Sequence, residues 1–455
     1  MSATDRYEAE LTAKLRGVTR EFAYWELQSR AGAPLEKHHR QIRRVTATLR
    51  LVANCVSEDL TTPAGRRRAA LLVLDLHQVW DLFRRKLALR CVPWFARPLI
   101  AADDFAWACY EPAAAAAVRG GVDPGRVSEP PLVFLSADAV ARAHLRGESY
   151  AGLIADGLFG PALVPALREL PVPLVAVPWY QVEHVPDALA IGHEVGHLVE
   201  RDLDLTSTLR GLLARALRDE AEARLPAWTA WLSEVFADVY GCLAAGPAYA
   251  GWLLDLLAEA APARPAGAGG DGWGRYPPPD VRTAVILACV RTLGFGSAAG
   301  ELGAGWSWAA DGGGRTSFLE DAEHVVAAVL DGSYPMFADS GLRSVLSFST
   351  IEQEAVEDEA VRLLRGGELV RGDIRILLAA GALAFRSDPR RFRSGRVGGR
   401  VLDRAVRLRQ RGVRARRARI SIPPAVLAAD RRAGRRLFEL LAYDPKWISS
   451  RPATT

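Results

Sequence analysis

The stretch Ala188-Leu189-Ala190-Ile191-Gly192-His193-Glu194-Val195-Gly196-His197-Leu198-Val199 decides how the rest of the chain is read. Apolar residues flank an H-E-x-x-H motif on both sides, which predicts a largely buried helix. Residues four apart lie on one helical face, so His193 and His197 point the same way. Two imidazoles one turn apart can share a zinc ion, and Glu194, one step round, can reach a water held there. With only eight histidines in 455 residues, an accidental H-E-x-x-H would turn up in roughly one such chain in a hundred. Burying such a cluster is costly unless its polar groups are paired or bound to metal.

A second stretch answers the first. From Trp231 to Ala245 (W-L-S-E-V-F-A-D-V-Y-G-C-L-A-A) apolar residues go nearly all the way round a predicted helix. Glu234 and Asp238 interrupt it four residues apart, on one face. Acids inside such a helix are anomalous unless cations or donors meet them. A metal ion and a histidine N–H would do so: Glu234 as third ligand, Asp238 accepting from the non-ligating nitrogen of one histidine. Gly241, with Gly192 and Gly196, would let the two helices approach closely.

These five positions, His193, Glu194, His197, Glu234 and Asp238, resemble the thermolysin-like gluzincin group of zinc metallopeptidases. Position 203 is Leu, and no histidine follows until His324, which argues against the metzincin pattern. The resemblance is confined to the zinc-site region. It implies a zincin-like core, one zinc ion per chain, and hydrolysis of a peptide or protein substrate through a metal-activated water. Glu194 would be the general base. It also implies a donor for the oxyanion, for which Tyr240, Tyr276, Arg282 and His184 are candidates. The segment Tyr276-Pro277-Pro278-Pro279-Asp280-Val281-Arg282 resembles an H-P-P-x-x-R-like element found after the third ligand in some H-E-x-x-H peptidases, with Tyr in place of His. Substrate would lie as an extra strand on the edge of the sheet. The competing reading is a catalytically silent regulatory or interaction protein that keeps a peptidase-like zinc site.

The remaining chain gives the frame. Hydrophobic residues make up 49% and charged residues 24%, a globular balance. The expected class is α+β, predominantly helical. Residues 1–98 read as a helical N-terminal region. Residues 99–385 read as the core: a small sheet over 99–185, active-site helices over 186–260, then a loop and helices over 261–385. Residues 386–455 read as an Arg-rich C-terminal extension. Strands are expected at 105–110, 131–135 and 172–180, with Asp187 capping the H-E-x-x-H helix. Further helices are expected at 281–293, 317–331, 351–365 and 372–386. The glycine- and proline-rich stretch 262–276 reads as a mobile loop and candidate lid, and 298–315 as a second glycine-rich patch.

Fourteen arginines lie between Arg386 and Arg419, with an amphipathic basic helix at 401–411. Polyanion binding through this tail is a third reading. The whole chain has only four lysines, so the excess also fits a GC-rich coding sequence. His38-His39 reads as a solvated pair, and His77, His144 and His324 as half-buried helix residues. Five widely spaced cysteines argue for a reducing compartment. With no signal-peptide pattern and no long charge-free apolar run, a cytoplasmic protein without a membrane span is expected.

Overall fold

The computed structural model describes residues 2–144, 150, 153, 167–218, 223–260, 273–304, 316–416 and 422–442. The fold is α+β and predominantly helical, with one three-stranded sheet among the described residues. Helix α1 (Ala3–Gln28) opens on a capping box, in which Ser2 accepts from the Asp5 amide and Asp5 from the Ser2 amide. Helices α2 (His39–Asp59) and α3 (Pro63–Ala88) follow; Thr62 caps α3 and Pro63 sits in its first turn. The three pack around Phe22, Leu49, Leu72 and Trp80.

The stretch 105–110, expected as a strand, lies instead in the middle of helix α4 (Pro93–Arg119). A short apolar run looks alike in a buried strand and a buried helix. Here α4 runs through the core, with Phe105, Ala106, Cys109 and Tyr110 all buried. Its internal prolines, Pro98 and Pro112, look like breakers in sequence, but burial on several sides outweighs their cost.

The other two strands form where expected. Strand β1 (Leu132–Ser136) pairs in parallel with β3 (Leu174–Pro178), and the short β2 (Arg142–His144) pairs antiparallel on the far side of β3. Alternate residues face opposite ways. Val133, Leu135, Val175 and Val177 join the core around the H-E-x-x-H helix; Leu132, Phe134, Leu174 and Ala176 join the core of the N-terminal helices. The sheet therefore divides two hydrophobic cores, which explains why β1 and β3 read as continuous apolar runs.

After β3 comes a 3-10 turn (Val185–Leu189), then α5 (Ala190–Asp202), α6 (Thr206–Ala216) and α7 (Leu225–Ala260). Asp187 does not cap α5. It lies inside the 3-10 turn, where its carboxylate accepts from Trp252 Nε1 at 3.0 Å. By length and apolarity α7 could span a membrane, yet 72% of its apolar window is buried against the rest of the chain. It breaks at Gly246, whose φ of 57° is followed by Pro247. The chain turns back there, so that the Tyr249 ring lies against Gly241.

Helices α8 (Pro279–Thr292), α9 (Gly296–Ala304), α10 (Thr316–Asp331), α11 (Leu342–Val345), α12 (Thr350–Leu364) and α13 (Ile374–Ser387) complete the core. The start of the expected glycine-rich patch at 298–315 is thus helical; its remainder, and residues 262–272 of the expected lid, lie outside the described residues. The arginine-rich segment forms α14 (Pro389–Ser394) and α15 (Val397–Arg416), with α15 against α4 and α13. Arg400 and Arg404 donate to the carbonyls of Leu363, Gly367, Val370 and Arg371, and Arg409 pairs with Asp104. Helix α16 (Pro424–Ala442) lies on α2, joined by the buried Arg44–Asp430 pair.

Three histidine expectations are corrected. His38 is buried, not solvated, and contacts Gln41, Arg90 and Asp103. His144 is on strand β2 with its ring against Phe134. His324 is exposed on α10.

Candidate metal centre

Helices α5 and α7 cross at glycines. A Cβ on Gly196 would come within 2.8 Å of Ala237 Cα, and one on Gly192 within 3.2 Å of Ala244 Cβ. This close approach sets His193 and His197 directly opposite Glu234. The two Nε2 atoms are 3.1 Å apart. One Glu234 oxygen is 3.4 Å from His193 Nε2, and the other is 3.6 Å from His197 Nε2. All three side chains are buried. Ligands held tetrahedrally at about 2.0–2.1 Å from zinc lie roughly 3.3 Å from each other, so these spacings suit a single ion.

Donor counting fixes what the facing atoms are. Asp238 accepts from Arg282 Nε at 2.6 Å and Nη2 at 2.8 Å, from the Tyr249 hydroxyl at 2.9 Å, and from His193 Nδ1 at 2.8 Å. His193 therefore carries a proton on Nδ1. His197 Nδ1 lies 3.1 Å from Ser233 Oγ. The one hydroxyl proton of Ser233 is donated to Glu200 at 2.5 Å, and Glu200's other oxygen accepts from Thr206 at 2.9 Å. Ser233 can only accept from His197, which places that ring's proton on Nδ1 too. Both Nε2 atoms then present lone pairs to each other and to a carboxylate. Apart from the Arg275 Nε on one Glu234 oxygen, no donor meets these three converging acceptors, which calls for a cation. The donor set fits a metal ion.

The electrostatics of the metal-free chain agree. Burial works against a charged His193, but the adjacent Asp238 carboxylate, with Glu234 and Glu194, raises its pKa to about 9. Burial and the charge on His193 push His197 down to about 3. A proton on His193 Nε2 thus supplies the missing cation. Burial lifts Asp238's pKa, yet Arg282 and His193 outweigh it and hold the carboxyl well below the usual range. Glu194 is pushed up to about 7 by burial, partly offset by His193 and by the Ala143 N–H, which donates to its carboxylate.

The structure thus brings together His193, Glu194, His197, Glu234, Asp238 and Arg282. It places Arg282 behind Asp238, not on the open side. Tyr240 lies elsewhere: its hydroxyl donates to the Cys109 carbonyl at 2.7 Å. His184 pairs with Asp187 at 3.0 Å, away from the site. Tyr276 is partly exposed, next to the Arg275 guanidinium.

Four participants were not foreseen: Ser233, Glu200, Tyr249 and Arg275. Ser233 adjoins Glu234, and Glu200 lies three residues beyond His197 on the same helical face, so both were within reach of spacing rules. Tyr249 arrives only through the Gly246-Pro247 break, a signal present in sequence. Arg275 has no sequence signal. No family model, curated protein or solved structure matches this chain.

Proposed function

We propose that this chain is a zinc-dependent metallopeptidase of the gluzincin kind. The observation that carries the reading is the pair of Nε2 atoms facing the Glu234 carboxylate, with Glu194 on the next position of the same helix. Two nitrogens and one carboxylate are the ligand set that suits zinc while leaving a fourth position open.

His193, His197 and Glu234 would hold the ion. Asp238 and the Ser233–Glu200 pair keep both imidazoles in the ligating tautomer. A zinc ion bound there supplies Lewis acidity, bringing a water's pKa to about 7 and polarising an amide carbonyl. Glu194 takes the proton from the attacking water and delivers it to the leaving nitrogen. Strand β2 supports a place for substrate. It is one of the two edge strands of the sheet among the described residues, and its Ala143 N–H turns toward Glu194. An extended peptide along that edge would pass the general base.

The test is zinc content and turnover of purified wild type and Glu194→Gln. The expected result is about one zinc per chain in both, with hydrolysis lost in the variant by about 100- to 10,000-fold. A chain that binds no zinc, or a variant that turns over like wild type, overturns the reading.

A further inference from the structure

We infer that Arg275 is the anion-gripping residue on the open face of this metal centre. In the peptidase reading, on which the chemical role rests, its target is the carbonyl oxygen of the bond being cut.

A carbonyl under attack by water gathers negative charge on its oxygen and needs a donor there. Two of the expected donors are committed elsewhere, Tyr240 to the Cys109 carbonyl and Arg282 to Asp238. Arg275 is placed differently. Its Nε donates to a Glu234 oxygen at 3.3 Å, the same oxygen that faces His197 Nε2 at 3.6 Å. Its side chain is 70% exposed, so it approaches from the solvent side while Arg282 closes the inner side. That bond is its one hydrogen bond among the described residues, and the two terminal amino groups remain for a ligand.

Neither stability nor metal holding accounts for a guanidinium in that position. With the guanidinium 70% exposed, solvent screens its pairing with the buried Glu234 carboxylate, and the pair adds little to stability. A cation against a carboxylate that must also ligate a metal competes with the metal. The position suits an anion arriving from solvent. It is also braced on both sides. Trp273 packs against Trp231 and Phe318 at 5.6 and 5.8 Å between ring centroids, and Pro277–Pro279 leads straight into α8. The guanidinium stays protonated throughout. Water adds to the carbonyl carbon, the C–N bond breaks, and the proton travels to nitrogen through Glu194, while Arg275 only donates hydrogen bonds.

The experiment compares zinc-loaded wild type, Arg275→Met and Arg275→Lys. Inorganic phosphate serves as the oxyanion probe by calorimetry, and zinc affinity is measured by chelator competition. Losing a hydrogen bond to a charged group should weaken phosphate about 10- to 100-fold in Arg275→Met. Arg275→Lys should recover part of that loss. Zinc affinity should hold or rise in Arg275→Met. If the chain is a peptidase, kcat should fall about 100- to 1,000-fold in Arg275→Met with KM little changed. Equal phosphate affinity in wild type and Arg275→Met overturns the inference, as does wild type that binds no phosphate. A more than threefold loss of zinc affinity in Arg275→Met would also overturn it, because Arg275 would then be positioning Glu234. Phosphate bound through Arg275 by a chain that cleaves no peptide supports the inference and sinks only the peptidase reading.

Discussion

Replacing Ser233 with Ala removes two part-buried hydrogen bonds at once, the 3.1 Å contact with His197 Nδ1 and the 2.5 Å bond to Glu200. The ring of His197 keeps its packing, but nothing then dictates which nitrogen carries the proton. Loss of a partner behind a ligating histidine costs about 10- to 100-fold in metal affinity, or about 1.4–2.8 kcal/mol. Counting groups gives the same range, since a buried N–H left without an acceptor costs about 1–3 kcal/mol. Glu200 keeps its bond from Thr206 at 2.9 Å, so the damage stays centred on His197. The assay is competition for zinc with a chromogenic chelator, with thermal unfolding of the metal-free protein alongside. Zinc affinity should fall by at least tenfold while the metal-free Tm moves little by comparison. A change of threefold or less would refute the tautomer argument, and with it the reason for treating the two Nε2 atoms as paired acceptors.

Gly196→Ala should push α5 away from α7, because the new Cβ would sit 2.8 Å from Ala237 Cα and 3.0 Å from Tyr240 Cβ. Overpacking of this kind costs about 1–3 kcal/mol; an unchanged Tm together with unchanged zinc affinity would contradict it. A second cluster sets the acid response. Asp103 lies buried 2.7 Å from Arg90 and 3.1 Å from His38. Burial raises its pKa, but Arg90 and His38 outweigh burial and hold it well below the usual range. Burial pushes His38 down against the pull of Asp103. Both folded pKa values lie below their unfolded ones, so the unfolded chain takes up protons first as pH falls. Stability from this cluster is whole above about pH 6.5 and is lost as pH drops through about 6.5 and then about 4. Asp103→Asn should cost about 3–5 kcal/mol near neutrality by leaving Arg90 unpaired in the interior, and should flatten the acid limb of Tm against pH. An acid limb of the same steepness in the variant would rule this out.

How much of this was legible in the sequence depends on the range of each interaction. His193, His197, Glu234 and Asp238 were readable because helical spacing puts each pair on one face, and because acids inside an apolar helix demand partners. The α+β class and two of the strands were readable from apolar runs bounded by turns. Residues 105–110 were misread because periodicity does not separate a buried strand from the centre of a buried helix. Only the full length of α4, prolines included, does so. The second partners came from tertiary geometry. Tyr249 reaches Asp238 because Gly246 reverses the chain, and Arg282, one candidate oxyanion donor, lies behind Asp238. The side of a helix on which a charged residue closes is set by packing, not by local pattern.

The central claim is tested most directly by comparing protein N-termini in cells expressing wild type and Glu194→Gln. The account predicts a defined set of new N-termini that appears with wild type and is absent with the variant. Identical sets of N-termini in the two would contradict it.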